Sequence, residues 1–197
     1  PDVRDTSSRD FKWFESMWQR NILSNKGKRY IGKLFSLSSN LPSFQKKFND
    51  AKVLYMIRDP LSVIPSGLSL VTGVLDKRFG FWTLDEDIRN RSIKRLYSAF
   101  VELLNRFQKD WVSNRIDRDR VMIVQFDVMM NDFESLMDDI IDFIGEKKDE
   151  ALTKVIKETA EDQRRYESTH KYDLEKFGLT EDQIKNDCRE VYQTFLS

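Results

Sequence analysis

One cysteine, Cys188, and one histidine, His170, are all that the 197 residues contain of either type. A lone thiol excludes an intramolecular disulfide and a multi-cysteine metal site, and it suits a reducing compartment, so the cytoplasm is the expected location. Net charge is missing as well, because 33 basic residues balance 33 acidic ones. Bulk electrostatics therefore offers nothing to nucleic acid or to an anionic membrane surface, and any anion site must be local. No apolar run approaches the length of a membrane span, and no signal peptide is visible. The chain starts at Pro1 in a polar stretch, which suggests that more of the natural protein precedes it and takes the weight out of a missing targeting segment. Internal repeats, low-complexity tracts and a clear interdomain linker are also lacking.

What is present is an ordinary globular composition, with 40% hydrophobic and 34% charged residues, and enough chain for one sizeable core. The expectation is a single domain over residues 1–197. Phe11, Phe14, Trp18 and Ile22 recur at helical spacing, which predicts an amphipathic helix over 9–24. Residues 29–32 have the look of a short strand, and 41–48 of a helix opened by Asn40 and Pro42. The apolar runs at 52–57 and 120–126 read as strands buried in a parallel sheet. Between them a helix over 63–73, a Gly-containing loop over 72–82 and a long helix over 85–113 are expected. The stripe of that long helix is Ile93, Leu96, Phe100, Leu103, Leu104, Phe107 and Trp111. Asn131 with Glu134 predicts the start of a helix ending at Gly145, and Thr180 with Gln183 the start of a last helix ending near Phe195. Strands alternating with helices predict an α/β fold.

The unit with the most chemistry is the strand at 52–57 followed by Arg58-Asp-Pro60 and a helix that carries Ser66. At the carboxyl end of a parallel strand the next helix directs N–H groups and its positive dipole end into the crevice. Arg58 adds a planar fork matched to phosphate oxygens, and Ser66 a neutral donor. With Ser62 as N-cap, Pro65 falls in the first turn and Ser66 near the helix start. A phosphate-bearing nucleotide is the ligand this pattern suggests, against the plainer reading in which Arg58 pairs with a nearby carboxylate.

Arg58-Asp-Pro-x5-Ser66 resembles the 3′-phosphate motif of sulfotransferases that use 3′-phosphoadenosine 5′-phosphosulfate. Three further blocks extend the resemblance. They are Gly32-Lys33 with the helix leading to Phe48-Asn-Asp-Ala51, the segment from Val121 through Phe126 and Asp127 to Gly145, and the stretch from His170 to Thr180. Asn49 stands where the family has proline. The four blocks span about residues 29–195. The resemblance implies an α/β fold with a parallel sheet flanked by helices, of the three-layer P-loop nucleotide-kinase-like type and rich in helix. It implies transfer of a sulfonyl group from the phosphoadenosine co-substrate to a hydroxyl or amine of a small-molecule, glycan or lipid acceptor, without a metal. Arg58 and Ser66 then bind the 3′-phosphate, and Lys171 belongs to the C-terminal basic loop that closes the family's cofactor site.

The glycine/serine/threonine-rich loop that holds the 5′-phosphosulfate in this family has no counterpart before Arg29, so the chain resembles the C-terminal part of a sulfotransferase domain. Lys33 matches the family's turn lysine, but Phe35 occupies the position of the usual base two residues on. His170 and Lys33 remain as candidates for the transfer step. Gly27-Lys-Arg-Tyr-Ile-Gly32-Lys33 also matches the start of a Walker A loop, yet Leu34 replaces the hydroxyl that holds magnesium. The aromatic segment Phe79-Gly-Phe81-Trp82 lines either an acceptor pocket or the core. Two alternatives stand beside the sulfotransferase reading: a nucleotide-dependent phosphotransferase of similar architecture, and a non-catalytic relative that binds partners.

Overall fold

Two short apolar runs form the sheet. Val53–Ile57 (β1) and Val121–Gln125 (β2) pair in parallel, with Val53 opposite Val121 and Ile57 opposite Gln125. The computed structural model describes residues 7–26, 30–35, 37–165 and 173–196. Around the sheet run α1 (Ser7–Ser24), α2 (Leu41–Lys47), α3 (Pro60–Phe79), α4 (Glu86–Val112), α5 (Phe126–Asn131), α6 (Phe133–Ile144), α7 (Glu150–Arg164), α8 (Glu181–Asp187) and α9 (Arg189–Phe195). The described chain is thus a helix-rich α/β protein built on a small two-stranded parallel sheet. No helix among the described residues is long and apolar enough to cross a membrane.

Side chains alternate across a strand, so Val53, Tyr55 and Ile57 share a face with Val121 and Ile123. The main core packs there. The Phe107 ring of α4 stacks on Tyr55 with centroids 3.4 Å apart and planes 4° from parallel. Phe107 also meets Phe195 of α9 at 5.7 Å. Burial without a charge partner pushes the Tyr55 phenol well above its ordinary range. On the opposite face Val124 is buried apart from that core, as are Leu136 and Ile141 in α6 and Ile156 and Ala160 in α7. The same face of β1 is open, leaving Leu54 39% and Met56 51% exposed. α3 and α4 approach closely at Gly67, where a Cβ would lie 2.6 Å from Cζ of Phe100.

The helical periodicities of α1, α2 and α4 and both strands match the expected positions to within about two residues. Five local readings are corrected. α3 begins at Pro60 and is capped by Asp59, whose carboxylate accepts the Leu61 N–H at 2.8 Å, so Ser62 is not the N-cap and Pro65 lies inside the helix. The expected loop after residue 72 is helical as far as Phe79, because Gly73, the one glycine of that segment within the helix, costs only about 1 kcal/mol. The turn is made by Gly80 at φ 63°. Asn131 ends α5, and Asp132 precedes α6, which does stop at Gly145 in the left-handed region (φ 73°). The last helix is divided at Cys188. Tyr30–Leu34 carries no strand, Arg29 lies outside the described residues, and α7 corresponds to no expected element.

Candidate functional site

The register that pairs Ile57 with Gln125 brings the next residues, Arg58 and Phe126, side by side where both strands end. The Arg58 guanidinium carbon lies over the Phe126 ring, 4.0 Å from its centroid. A ring face attracts a cation and leaves the in-plane N–H groups of the guanidinium free to reach a ligand. Among the described residues no carboxylate lies within ion-pair distance of Arg58. The plainer reading of Arg58 as one half of a surface ion pair therefore has no support among them.

Arg58 lines a cleft of about 210 Å³ together with Asp59, Gln125, Phe126, Asp127 and Tyr192. Complete small-molecule sites run to roughly 300–1,000 Å³, so this cleft has room for one end of a nucleotide and not for the whole. A larger hollow of about 430 Å³ follows the surface of α7, but its walls are the mixed charges of Lys148, Lys154, Glu158 and their neighbours. With no apolar residue in its walls and its lysines interleaved with carboxylates, it is a solvated helix face.

Asp59 controls the entrance to α3. Its carboxylate accepts the Leu61 N–H, and its carbonyl accepts those of Ser62 at 2.8 Å and Val63 at 3.0 Å. Pro60 has no N–H to offer. The helix start expected to present unpaired N–H groups to an anion is thus satisfied internally, and cationic binding falls to Arg58. The same carboxylate accepts a hydrogen bond from the hydroxyl of Tyr192 in α9. Burial, reinforced by that bond, pushes the Tyr192 phenol far above its ordinary range, so it remains a protonated donor at neutral pH.

Ser66 is half-buried and stands in the second turn of α3, about 9 Å along the axis from Pro60 at 1.5 Å per residue. It is not a wall of the cleft. The structure brings Arg58, at the end of β1, to the cleft and keeps Ser66 away from its walls, in the second turn of α3. Lys33 is exposed in the irregular stretch after Tyr30, and Phe35 is 70% exposed with its edge against Phe100 at 6.3 Å. His170 and Lys171 lie outside the described residues. Phe81 is buried, and Trp82 packs against it at 5.1 Å, so of the aromatic segment only Phe79 is exposed.

Sequence comparison agrees with the geometry, since a profile described as "Sulfotransferase family" matches residues 5–150. The chain belongs to the sulfotransferase family. No curated protein and no solved structure matches it. The family match contains Arg58, Phe126 and Asp127, while Tyr192 and Leu196, on the far wall of this sulfotransferase-family cleft, lie beyond it. Phe126 was legible in principle, because two parallel strands that end together place their next residues side by side. Tyr192 was not, as it meets Asp59 across 133 positions of sequence.

Proposed function

We propose that this chain is the 3′-phosphate-binding part of a sulfotransferase that uses 3′-phosphoadenosine 5′-phosphosulfate as donor. The observation that carries the reading is Arg58 at the carboxyl end of a parallel strand, stacked on Phe126, facing a cleft and unpaired by any described carboxylate. Arg58 takes the 3′-phosphate through its fork, and Ser66 supplies a hydroxyl that bonds to no described residue. The three-layer, P-loop-kinase-like architecture of the family is supported by helices on both faces of the parallel sheet and by the β1 edge away from β2, which pairs with no described strand and is where further sheet would join.

In the transfer, an acceptor hydroxyl or amine attacks sulfur and the bond from sulfur to the phosphate oxygen breaks. Adenosine 3′,5′-bisphosphate leaves, and a base takes the acceptor's proton. Neither Arg58 nor Ser66 touches the reacting atoms in this arrangement, so both bind and orient. Lys33 and His170 are the candidates nearer the sulfonyl group, and Lys171 for closing the cofactor site. The acceptor is a small molecule, a glycan or a lipid.

The test is calorimetry with adenosine 3′,5′-bisphosphate on the natural full-length protein. Arg58→Ala and Ser66→Ala are each expected to raise Kd about tenfold or more, equivalent to about 1.4 kcal/mol. Unchanged constants for both variants would rule the assignment out. A second reading, a nucleotide-binding relative without turnover, draws on Phe35 in the place of the family's usual base. It predicts bisphosphate binding with no sulfonyl transfer.

A further inference from the structure

Arg58 and Asp59 are adjacent in sequence, border the same cleft and carry opposite charges. Turned toward the guanidinium, a carboxylate adjacent to it in sequence would pair with it and compete with any anion. Asp59 does not turn. Its Oδ1 accepts the Leu61 N–H at 2.8 Å, and the same oxygen accepts the Tyr192 hydroxyl. The backbone bond alone ties Asp59 to its own helix start. The Tyr192 bond ties it to the opposite wall of the cleft.

We propose that Tyr192 is a positioning residue for the anion site, holding the Asp59 carboxylate off Arg58 so that the guanidinium stays open to phosphate. The inference rests on the 3′-phosphate reading of the cleft, and it brings into the site a part of the chain outside the family match. α9 is anchored well enough for the role. Gln125 Nε2 donates to the Phe195 carbonyl at 2.9 Å, Gln108 Nε2 donates to Thr194 Oγ1 at 3.0 Å, and the Phe195 ring packs on Phe107 and Trp111. The end of β2 and the core side of α4 therefore fix where the Tyr192 hydroxyl sits. Asp127, the other carboxylate of the cleft, is exposed at the start of α5 and forms no hydrogen bond or ion pair with a described residue. Tyr192 acts on Asp59 alone.

A double-mutant cycle on the full-length protein tests this, with adenosine 3′,5′-bisphosphate as the calorimetric probe and thermal denaturation to confirm folding. Tyr192→Phe removes only the hydroxyl, and the released charge is expected to raise Kd about threefold or more, the size of one unit charge acting through solvent at several Å. Asp59→Asn keeps an N-cap side chain and removes the charge, so it is expected to tighten binding. In the Asp59→Asn background, Tyr192→Phe should leave Kd unchanged. An unchanged Kd for Tyr192→Phe alone, or an equal loss in both backgrounds, overturns the positioning role in favour of a packing one. Weaker binding by Asp59→Asn overturns it independently of how Tyr192→Phe folds. Failure of the wild-type protein to bind the bisphosphate overturns the 3′-phosphate reading itself, and this inference with it.

Discussion

Gln45 closes a two-bond clamp on the backbone of Asp117. Its Nε2 donates to the Asp117 carbonyl at 3.0 Å, and its Oε1 accepts the Asp117 N–H at 2.9 Å. The clamp joins α2 to the turn that feeds β2, and Arg120 reinforces it by donating to the Phe48 carbonyl at 3.0 Å and to the Asp117 carboxylate. Gln45 is 3% exposed, so both bonds are made by a side chain held out of water. Gln45→Ala removes the partner of two part-buried backbone groups, and at about 1–3 kcal/mol for each the expected loss is about 2–6 kcal/mol. Urea denaturation measures it. A loss below about 0.5 kcal/mol, the scale of an ordinary surface substitution, would mean that the turn holds its geometry without Gln45.

Where α3 crosses α4, Gly67 is required for space rather than for its dihedral angles. Replacing an interior helical glycine by alanine ordinarily stabilises by about 1 kcal/mol. Here the new methyl would lie 2.6 Å from Cζ and 2.8 Å from Cε1 of Phe100. Overpacking of that kind costs about 1–3 kcal/mol, and Phe100 is buried with little room to move. Gly67→Ala is therefore expected to be neutral to destabilising by up to about 2 kcal/mol, the clash outweighing the propensity gain. Adding Phe100→Leu should recover part of the loss. A stabilised Gly67→Ala protein would show that the two helices separate freely.

Tyr97 and Tyr192 each donate to a carboxylate, Asp187 and Asp59 respectively, and both phenols are pushed well above the ordinary value of 10.0, by burial first and by those bonds second. Tyr55 rises through burial alone. Above the ordinary value the unfolded chain releases these protons while the folded chain retains them. The stability they contribute is thus complete below about pH 10 and is lost as pH rises beyond it. Urea midpoints followed across that range should fall with pH, and Tyr97→Phe should flatten the decline. A flat wild-type profile would contradict the shifts.

Both strands, their parallel pairing and the long α4 were legible because each rests on a local pattern, an apolar run or a helical stripe, that no distant residue overrides. The start of α3 was not. Ser62 and Asp59 are both good caps, and the choice between them turns on whether Pro60 opens the helix, which only the finished turn decides. Arg58 could be singled out because an arginine at a strand end is a sequence event. Of its neighbours, Phe126 was legible only through the expectation that the two strands end together, and Tyr192, which bonds to Asp59, was not, because it depends on how α9 docks against α4. The division of the last helix at Cys188 has no signal in residue type, since cysteine neither caps nor breaks a helix strongly. Burial pushes the Cys188 thiol up to about 11, with Asp187 adding to the shift, so it is an inert core group rather than a nucleophile.

The stack of Arg58 on Phe126 makes a prediction that separates charge from geometry. Arg58→Lys keeps the positive charge and gives up the planar fork and its close fit to the ring, so binding of adenosine 3′,5′-bisphosphate should fall between that of wild type and Arg58→Ala. Phe126→Leu keeps the apolar bulk and removes the ring face. A cation over an exposed ring is worth about 0.5–1 kcal/mol, so Kd should rise about two- to fivefold. Because the ring acts by holding the guanidinium, Phe126→Leu should have no further effect once Arg58 is alanine. Calorimetry on the single and double variants reads the coupling directly. If Phe126→Leu weakens binding as much without Arg58 as with it, the ring touches the ligand itself and the guanidinium needs no platform.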